Sequence, residues 1–318
     1  MPQHAAAFVS TLAIALCLAT SAAGLTYVDS PATAGTGAVV IDTRGGERCA
    51  NGSLSGARCL SAADVLGPHD RLAGFADIAW VFGTAGLKGD ETALVVGDNA
   101  VDRDFVAGLL YLMGQASVSV LRPLFDSQSS LIPNNAEPGE TRSNTRVTVY
   151  QATARDRLVL FRSELAQLIA DGKAPVIFDG RSEREYWGKW VRAARGGHLP
   201  GADHLPMRQL RNSISEGDPI QGLPPSPVIY GHGPKDGIAF FTLMRAGLGI
   251  DARVFAKGWR AWALDGSLPA DSETVPDKVA ARSAAGLESV GWIKITVAAL
   301  GGTVAGALGL FLTMRKRA

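Results

Sequence analysis

Short, nearly unbroken apolar runs recur along the chain, and each ends in polar or glycine-rich residues. Val39-Val40-Ile41 leads to Asp42-Thr43-Arg44, Ala93-Leu94-Val95-Val96 opens into Gly97-Asp98-Asn99, and Ser117–Leu121 is a third such run. Runs of three to five residues bounded by turn residues predict buried strands. Between them, helical periodicity spans Phe75–Gly86 and Phe105–Met113. Periodicity then lapses from Asp126 to Asn144, where Ser, Asn, Pro, Glu and Gly gather into a linker. Beyond it the order resumes: helix Glu164–Ala170, strand Val176-Ile177-Phe178 before Asp179-Gly180-Arg181, strand Val228-Ile229-Tyr230, a helix, and strand Ala252–Phe255. Strands alternating with helices predict parallel sheets covered on both faces, an α/β fold present twice.

The two ends carry a different pattern. Ala5–Ala19 is an apolar run followed by Thr20-Ser21-Ala22-Ala23-Gly24, the layout of a secretory signal with cleavage after Ala23. Ile295–Thr313 is uncharged and apolar over about the length that a bilayer core requires. Arg315-Lys316-Arg317 follows directly, so this reads as a transmembrane helix with a cytoplasmic tail. Ala298, Gly302 and Gly306 would give it a small-residue packing face. The resulting boundaries are 1–23 signal peptide, 24–126 first domain, 127–144 linker, 145–270 second domain, 271–290 juxtamembrane linker, 291–314 membrane helix and 315–318 tail. The expected location is a bacterial-type cytoplasmic membrane, single-pass, with both domains in the periplasm.

Composition changes this picture little. In a chain of 318 residues, 31 basic side chains oppose 30 acidic ones for a net charge of +1, which argues against nucleic acid as a partner. Of three cysteines, Cys17 falls in the leader, leaving Cys49 and Cys59 flanking a turn-rich segment. In an oxidising compartment they suit a disulfide, although spacing alone equally permits two separate thiols.

The candidate chemistry centres on Gly231-His232-Gly233-Pro234-Lys235-Asp236-Gly237, which carries the chain from an apolar strand to a helix. A glycine-rich loop delivered to a helix N-terminus is a place for anion binding or for a nucleophile. This one holds no Cys, Ser or Thr.

The chain resembles tandem rhodanese-type sulfurtransferases. The second half carries Asp179-Gly180-Arg181 with Glu183 and Tyr186, the turn Gly197-His198-Leu199-Pro200-Gly201-Ala202, and Lys257-Gly258-Trp259-Arg260-Ala261-Trp262. The first half matches more faintly through Asp42-Thr43-Arg44 and Gly52–Ala57. The resemblance implies two rhodanese-like domains, each a parallel sheet flanked by helices. It also implies a cysteine that carries sulfur as a persulfide between thiosulfate or mercaptopyruvate and an acceptor. At that position stands Gly231, with Pro234 and Asp236 where the family has Gly and Arg; the first half has Gly97, with Asp98 and Asn99 after it. No catalytic residue is therefore assigned, and neither a metal nor another cofactor.

The expectation is a non-catalytic binding, scaffold or assembly protein whose partner is a protein in or at the membrane, with a small anion or peptide in the second-half loop. The alternative is a sulfur-handling enzyme that uses Cys49 or Cys59. Trp259 and Trp262 are expected in the core with Trp187 and Trp190, Asp42–Arg44 and Asp179–Arg181 as bracing ion pairs, and Arg155–Arg157 as solvated surface.

Overall fold

A computed structural model of the chain describes residues 24–125, 136–218 and 220–272. The leader, the membrane segment with Ala298, Gly302 and Gly306, and the tail lie outside the described residues. Among the described residues no helix is long and apolar enough to cross a membrane.

The first half contains β1 (Leu25–Val28), β2 (Val39–Asp42), α1 (Gly46–Asn51), β3 (Arg58–Cys59), the short hairpin β4 (Leu66–Gly67) and β5 (Arg71–Leu72), α2 (Phe75–Thr84), β6 (Thr92–Val96), α3 (Ala100–Leu112) and β7 (Ser117–Leu121). The second half contains α4 (Arg162–Ala170), β8 (Ile177–Asp179), α5 (Glu183–Tyr186), β9 (Ala202–His204), α6 (Met207–Glu216), β10 (Val228–Tyr230), α7 (Pro234–Thr242), β11 (Arg253–Val254) and α8 (Gly258–Ala263). A π-helical turn, Leu243–Gly247, extends α7.

Two parallel sheets result, ordered β1-β7-β6-β2-β3 and β11-β10-β8-β9. Val159 bridges Val254 in parallel, extending the second sheet beyond β11 as β1 extends the first beyond β7. Chain order therefore places β6 and β10 in matching central positions, with β2 and β8 beside them. Their residues are apolar without alternation because helices cover both faces.

Three local readings change. The segment between Cys49 and Cys59, expected as turns alone, begins inside α1, which starts at Gly46. The helix expected over Phe105–Met113 starts at Ala100, because the Asn99 side chain caps it by accepting from the N–H groups of Val101 and Asp102. Asn99 thus serves the helix end. Arg155, expected on a solvated surface, instead donates to the carbonyls of Tyr111 and Gln115 and lies 4.1 Å over the Tyr111 ring.

Residues 136–155 are bound to the first half. Ser53 and Glu137 form an antiparallel bridge, Cys59 N donates to Glu140 O, Val147 and Thr148 donate to Gly83 O, and Arg155 N donates to Leu112 O. Beneath this strap Cys49 and Cys59 are joined by a disulfide, both nearly inaccessible, and Gly139 N donates to Cys49 O. Replacing both cysteines by serine is expected to destabilise the fold by about 2.5 kcal/mol, the unfolded-state entropy of a loop this short. Urea denaturation of the double variant checks it; an unchanged midpoint would show that the strap holds the segment without the bond.

The halves meet where α3 crosses α7. Gly108 permits the approach, since a Cβ there would stand 2.5 Å from Thr242 Oγ1 and 2.9 Å from Ile238 O. Thr242 Oγ1 donates to Asp104 O at 2.7 Å. The fully buried Asp104 carboxylate is shared between Arg103 of its own helix and Arg211 of α6. A second ion pair, Lys235 to Asp102 at 3.1 Å, links the first turns of α7 and α3, the helices that follow the central strands.

Candidate functional site

Ligand sites in parallel sheets lie beyond the carboxyl ends of the strands, and here two strand ends converge. β8 ends in Asp179, fully buried, whose carboxylate receives Arg181 Nε at 3.0 and 3.1 Å, Arg181 Nη2 at 2.5 Å and the Tyr230 hydroxyl at 2.5 Å. Arg181 Nη2 also donates to Gly197 O at 2.7 Å, which ties the Gly197–Ala202 turn to the sheet. Burial alone would lower the Arg181 pKa, but the adjoining Asp179 outweighs it and the net shift is upward. Tyr230 is pushed well above the usual tyrosine range by burial and then by Asp179, so its hydroxyl stays a donor. The first half repeats the device: Asp42 receives Arg44 Nη2 at 2.6 Å, Arg44 Nη2 donates to Gly52 O at 2.6 Å, and Ser53 Oγ takes the place of the tyrosine at 2.7 Å. These pairs position loops.

β10 delivers Gly231 at the foot of a cavity of about 750 Å³. His232 lines it from the loop and Asp236 from the first turn of α7, Arg181, Ser182 and Glu185 from the α5 side, Arg192 from the segment after α5, and the polar face of α6 through Arg208, Gln209, Asn212 and Glu216. Gly231 contributes no side chain and has no space for one: a Cβ would fall 2.6 Å from Asp236 Cβ and 2.7 Å from Gly237 N. The first turn of α7 closes over it, because the helix begins at Pro234 immediately after Gly233. Pro234 supplies no N–H to that turn.

The polar groups around the cavity are unequally satisfied. Glu185 pairs with Arg192 at 3.0 Å and accepts from Ser182 Oγ at 2.8 Å, closing a capping box at the start of α5. His232 is buried, its Nδ1 lies 3.6 Å from Glu185 Oε1, and that nitrogen has no hydrogen-bond partner among the described residues. Burial, then the nearby Arg192 charge, pushes the His232 pKa down to about 4, so the ring is neutral at neutral pH. Burial pushes the Asp236 carboxyl upward.

A histidine depressed in the folded state takes up its proton more readily when unfolded. Stability is therefore expected to fall as pH drops from the unfolded value near 6.5 towards about 4, with Asp236 acting in the opposite direction. In pH-dependent denaturation, His232→Asn should flatten that part of the profile; an unchanged slope would remove His232 as its cause.

The structure brings Gly231, His232 and Asp236 to this cavity and leaves other sequence candidates outside it. Lys235 turns to Asp102, while neither Gly233 nor Gly237 lines the cavity. Asp98 pairs with Arg48 in a separate recess that also holds Asp102 and Lys235, and Gly97 faces Thr43 Oγ1. Cys49 and Cys59 line neither cavity. His198 and His204 each stack on the Tyr186 ring, with centroids 3.7 and 4.7 Å away. Among the described residues no group of His, Cys, Asp or Glu is arranged to hold a metal. Trp259 and Trp262 are core residues, whereas Trp190, expected with them, is 51% exposed. Sequence reasoning singled out Glu183 and missed Glu185, although Ser182-x-x-Glu185 is a legible capping box. Arg192 and Arg208 carried no comparable signal.

Residues 161–265 match the family model described as a rhodanese-like domain. No curated protein sequence matches the chain. Among solved structures, a probable thiosulfate sulfurtransferase is 25% identical over 74% of this chain and 98% of its own, with a TM-score of 0.52. The Tum1 protein from Saccharomyces cerevisiae is 16% identical over 78% and 98%, with a TM-score of 0.64, and YnjE is 15% identical over 81% and 65%, with a TM-score of 0.59. The last two likenesses show the fold. Together with the parallel sheet flanked by helices, the match supports a rhodanese-like fold for residues 161–265.

Proposed function

We propose that this chain is a non-catalytic rhodanese-like protein that keeps the scaffold and its cavity for binding and does not transfer sulfur. The observation that carries the reading is Gly231: at the end of the central strand there is neither a thiol nor room for a Cβ. Persulfide chemistry requires a nucleophile with a thiolate form, which glycine cannot supply. What remains is a polar cavity edged by Arg192 and Arg208, with a buried His232 nitrogen unpartnered among the described residues.

In this reading the first half is a second, degenerate rhodanese-like domain, supported by its matching strand order and by the Asp42–Arg44 counterpart of Asp179–Arg181. The chain acts outside the cytoplasm, tethered by residues 291–314, and assembles with a protein at the membrane. The Cys49–Cys59 disulfide supports an oxidising compartment. Sulfur transfer through either cysteine finds no support in a bond buried beneath the 136–140 strap.

The test is to assay the purified protein for transfer from thiosulfate or mercaptopyruvate to cyanide, and to isolate the intact chain from membranes in a gentle detergent. No transfer, together with a stoichiometric protein partner, is the expected result. Transfer that one substitution abolishes would refute the reading.

A further inference from the structure

A different recess, of about 480 Å³, lies between the β4–β5 hairpin of the first half and α8 of the second. Its size is within the range that holds small organic molecules. Its walls are apolar, built from Leu72, Pro234, Ala261 and Leu264, and Leu264 is 69% exposed, unusually open for a leucine. Around those walls stand Arg71, Lys257 and Arg260, and among the described residues none that lines the recess is acidic. Arg260 Nη2 donates to Asp70 O at 3.3 Å. The side chains of Arg71 and Lys257 have no partner among the described residues.

The hairpin that forms one wall is held in a costly conformation. His69 and Asp70 have φ of 59° and 53°, consecutive non-glycine residues in the left-handed region. Such backbone persists only where surrounding contacts impose it, and it is concentrated at ligand sites. The turn presents Asp70 O to Arg260, fastening the hairpin to α8 across the recess.

We propose that this recess binds a small organic monocarboxylate with an apolar body. The body lies against Leu72, Pro234, Ala261 and Leu264, and the carboxylate sits among Arg71, Lys257 and Arg260. Arginine and lysine make charge-assisted hydrogen bonds with a carboxylate, and Leu264 gains the apolar cover it lacks. Neither Gly231 nor His232 nor Asp236 lines the recess, so the result here is separable from the reading of the Gly231 cavity.

The experiment measures binding of 4-phenylbutyrate to the purified full chain by ligand-observed NMR titration, with 4-phenylbutyramide and acetate as comparators. The carboxylate should bind at least about tenfold more tightly than the amide, a difference typical of one charge-assisted contact, and acetate should bind more weakly than either. The double variant Arg71→Glu/Lys257→Glu changes two exposed residues and should weaken 4-phenylbutyrate at least about tenfold with an unchanged thermal midpoint. Leu264→Ser should weaken acid and amide alike. Absence of binding at millimolar 4-phenylbutyrate, equal affinity for acid and amide, or indifference to the charge reversal would each overturn the proposal.

Discussion

Asp179→Ala is expected to lower the stability of the fold by about 3–5 kcal/mol, the usual cost of leaving one member of a buried ion pair without its partner. Arg181 is 5% exposed and cannot shed its charge, because a guanidinium is not deprotonated in proteins. The same substitution orphans the fully buried Tyr230 hydroxyl, which donates to Asp179 at 2.5 Å. It also loosens Arg181 from Gly197 O and thereby the tie between the Gly197–Ala202 turn and the sheet. Asp179→Asn retains an acceptor and should recover part of the loss. Urea denaturation of both variants, with Arg181→Met and the double variant completing a cycle, would separate the pair from its surroundings. A loss below about 1 kcal/mol for Asp179→Ala, the range of an exposed pair, would mean that the site is more solvated than its burial implies.

Installing cysteine at position 231 should not confer sulfur transfer. Gly231→Cys is expected to cost about 3 kcal/mol, the upper part of the range for overpacking, because the atoms that a Cβ meets include Gly237 N and Asp236 C, which move only with α7. Sulfur transfer should stay undetectable, since Pro234 offers no N–H to a persulfide and Asp236 places a carboxyl beside it. Gly231→Ala should cost nearly as much, because the collision is at Cβ. Gly97→Cys makes the informative contrast. There the obstacle is Thr43 Oγ1 at 2.1 Å, a rotatable side-chain end, so the cost should be smaller, about 1 kcal/mol for the hydrogen bond that Thr43 donates to Val96 O. Calorimetry and a cyanide-acceptor assay on the three variants check this. A stable Gly231→Cys protein with rapid transfer would show that α7 yields and that the cavity supports sulfur transfer.

The amino-acid order was sufficient for much of this protein. Apolar runs of three or four residues ending in Asp or Gly identified β2, β6, β8 and β10, since a strand buried on both faces has no reason to alternate, whereas β1, β3 and β9 carried no such run. The Asp-x-Arg spacing identified the two ion pairs, because a side chain two residues beyond a strand end can fold back onto it. The absence of a nucleophile at Gly231 was likewise a matter of sequence alone. The tertiary structure decided what depends on atoms far apart in the chain. It set the first turn of α7 on Gly231, so that the empty position is also a closed one. It gathered Glu185, Arg192 and the polar face of α6 around His232, a grouping for which no local pattern exists. It wrapped residues 136–155 onto the first half over the Cys49–Cys59 bond. Hydrophobic periodicity reports which face of an element is buried, but not which other element buries it. The cavity, the strap and the recess beside α8 are made by such pairings, and so they existed only once the chain had folded.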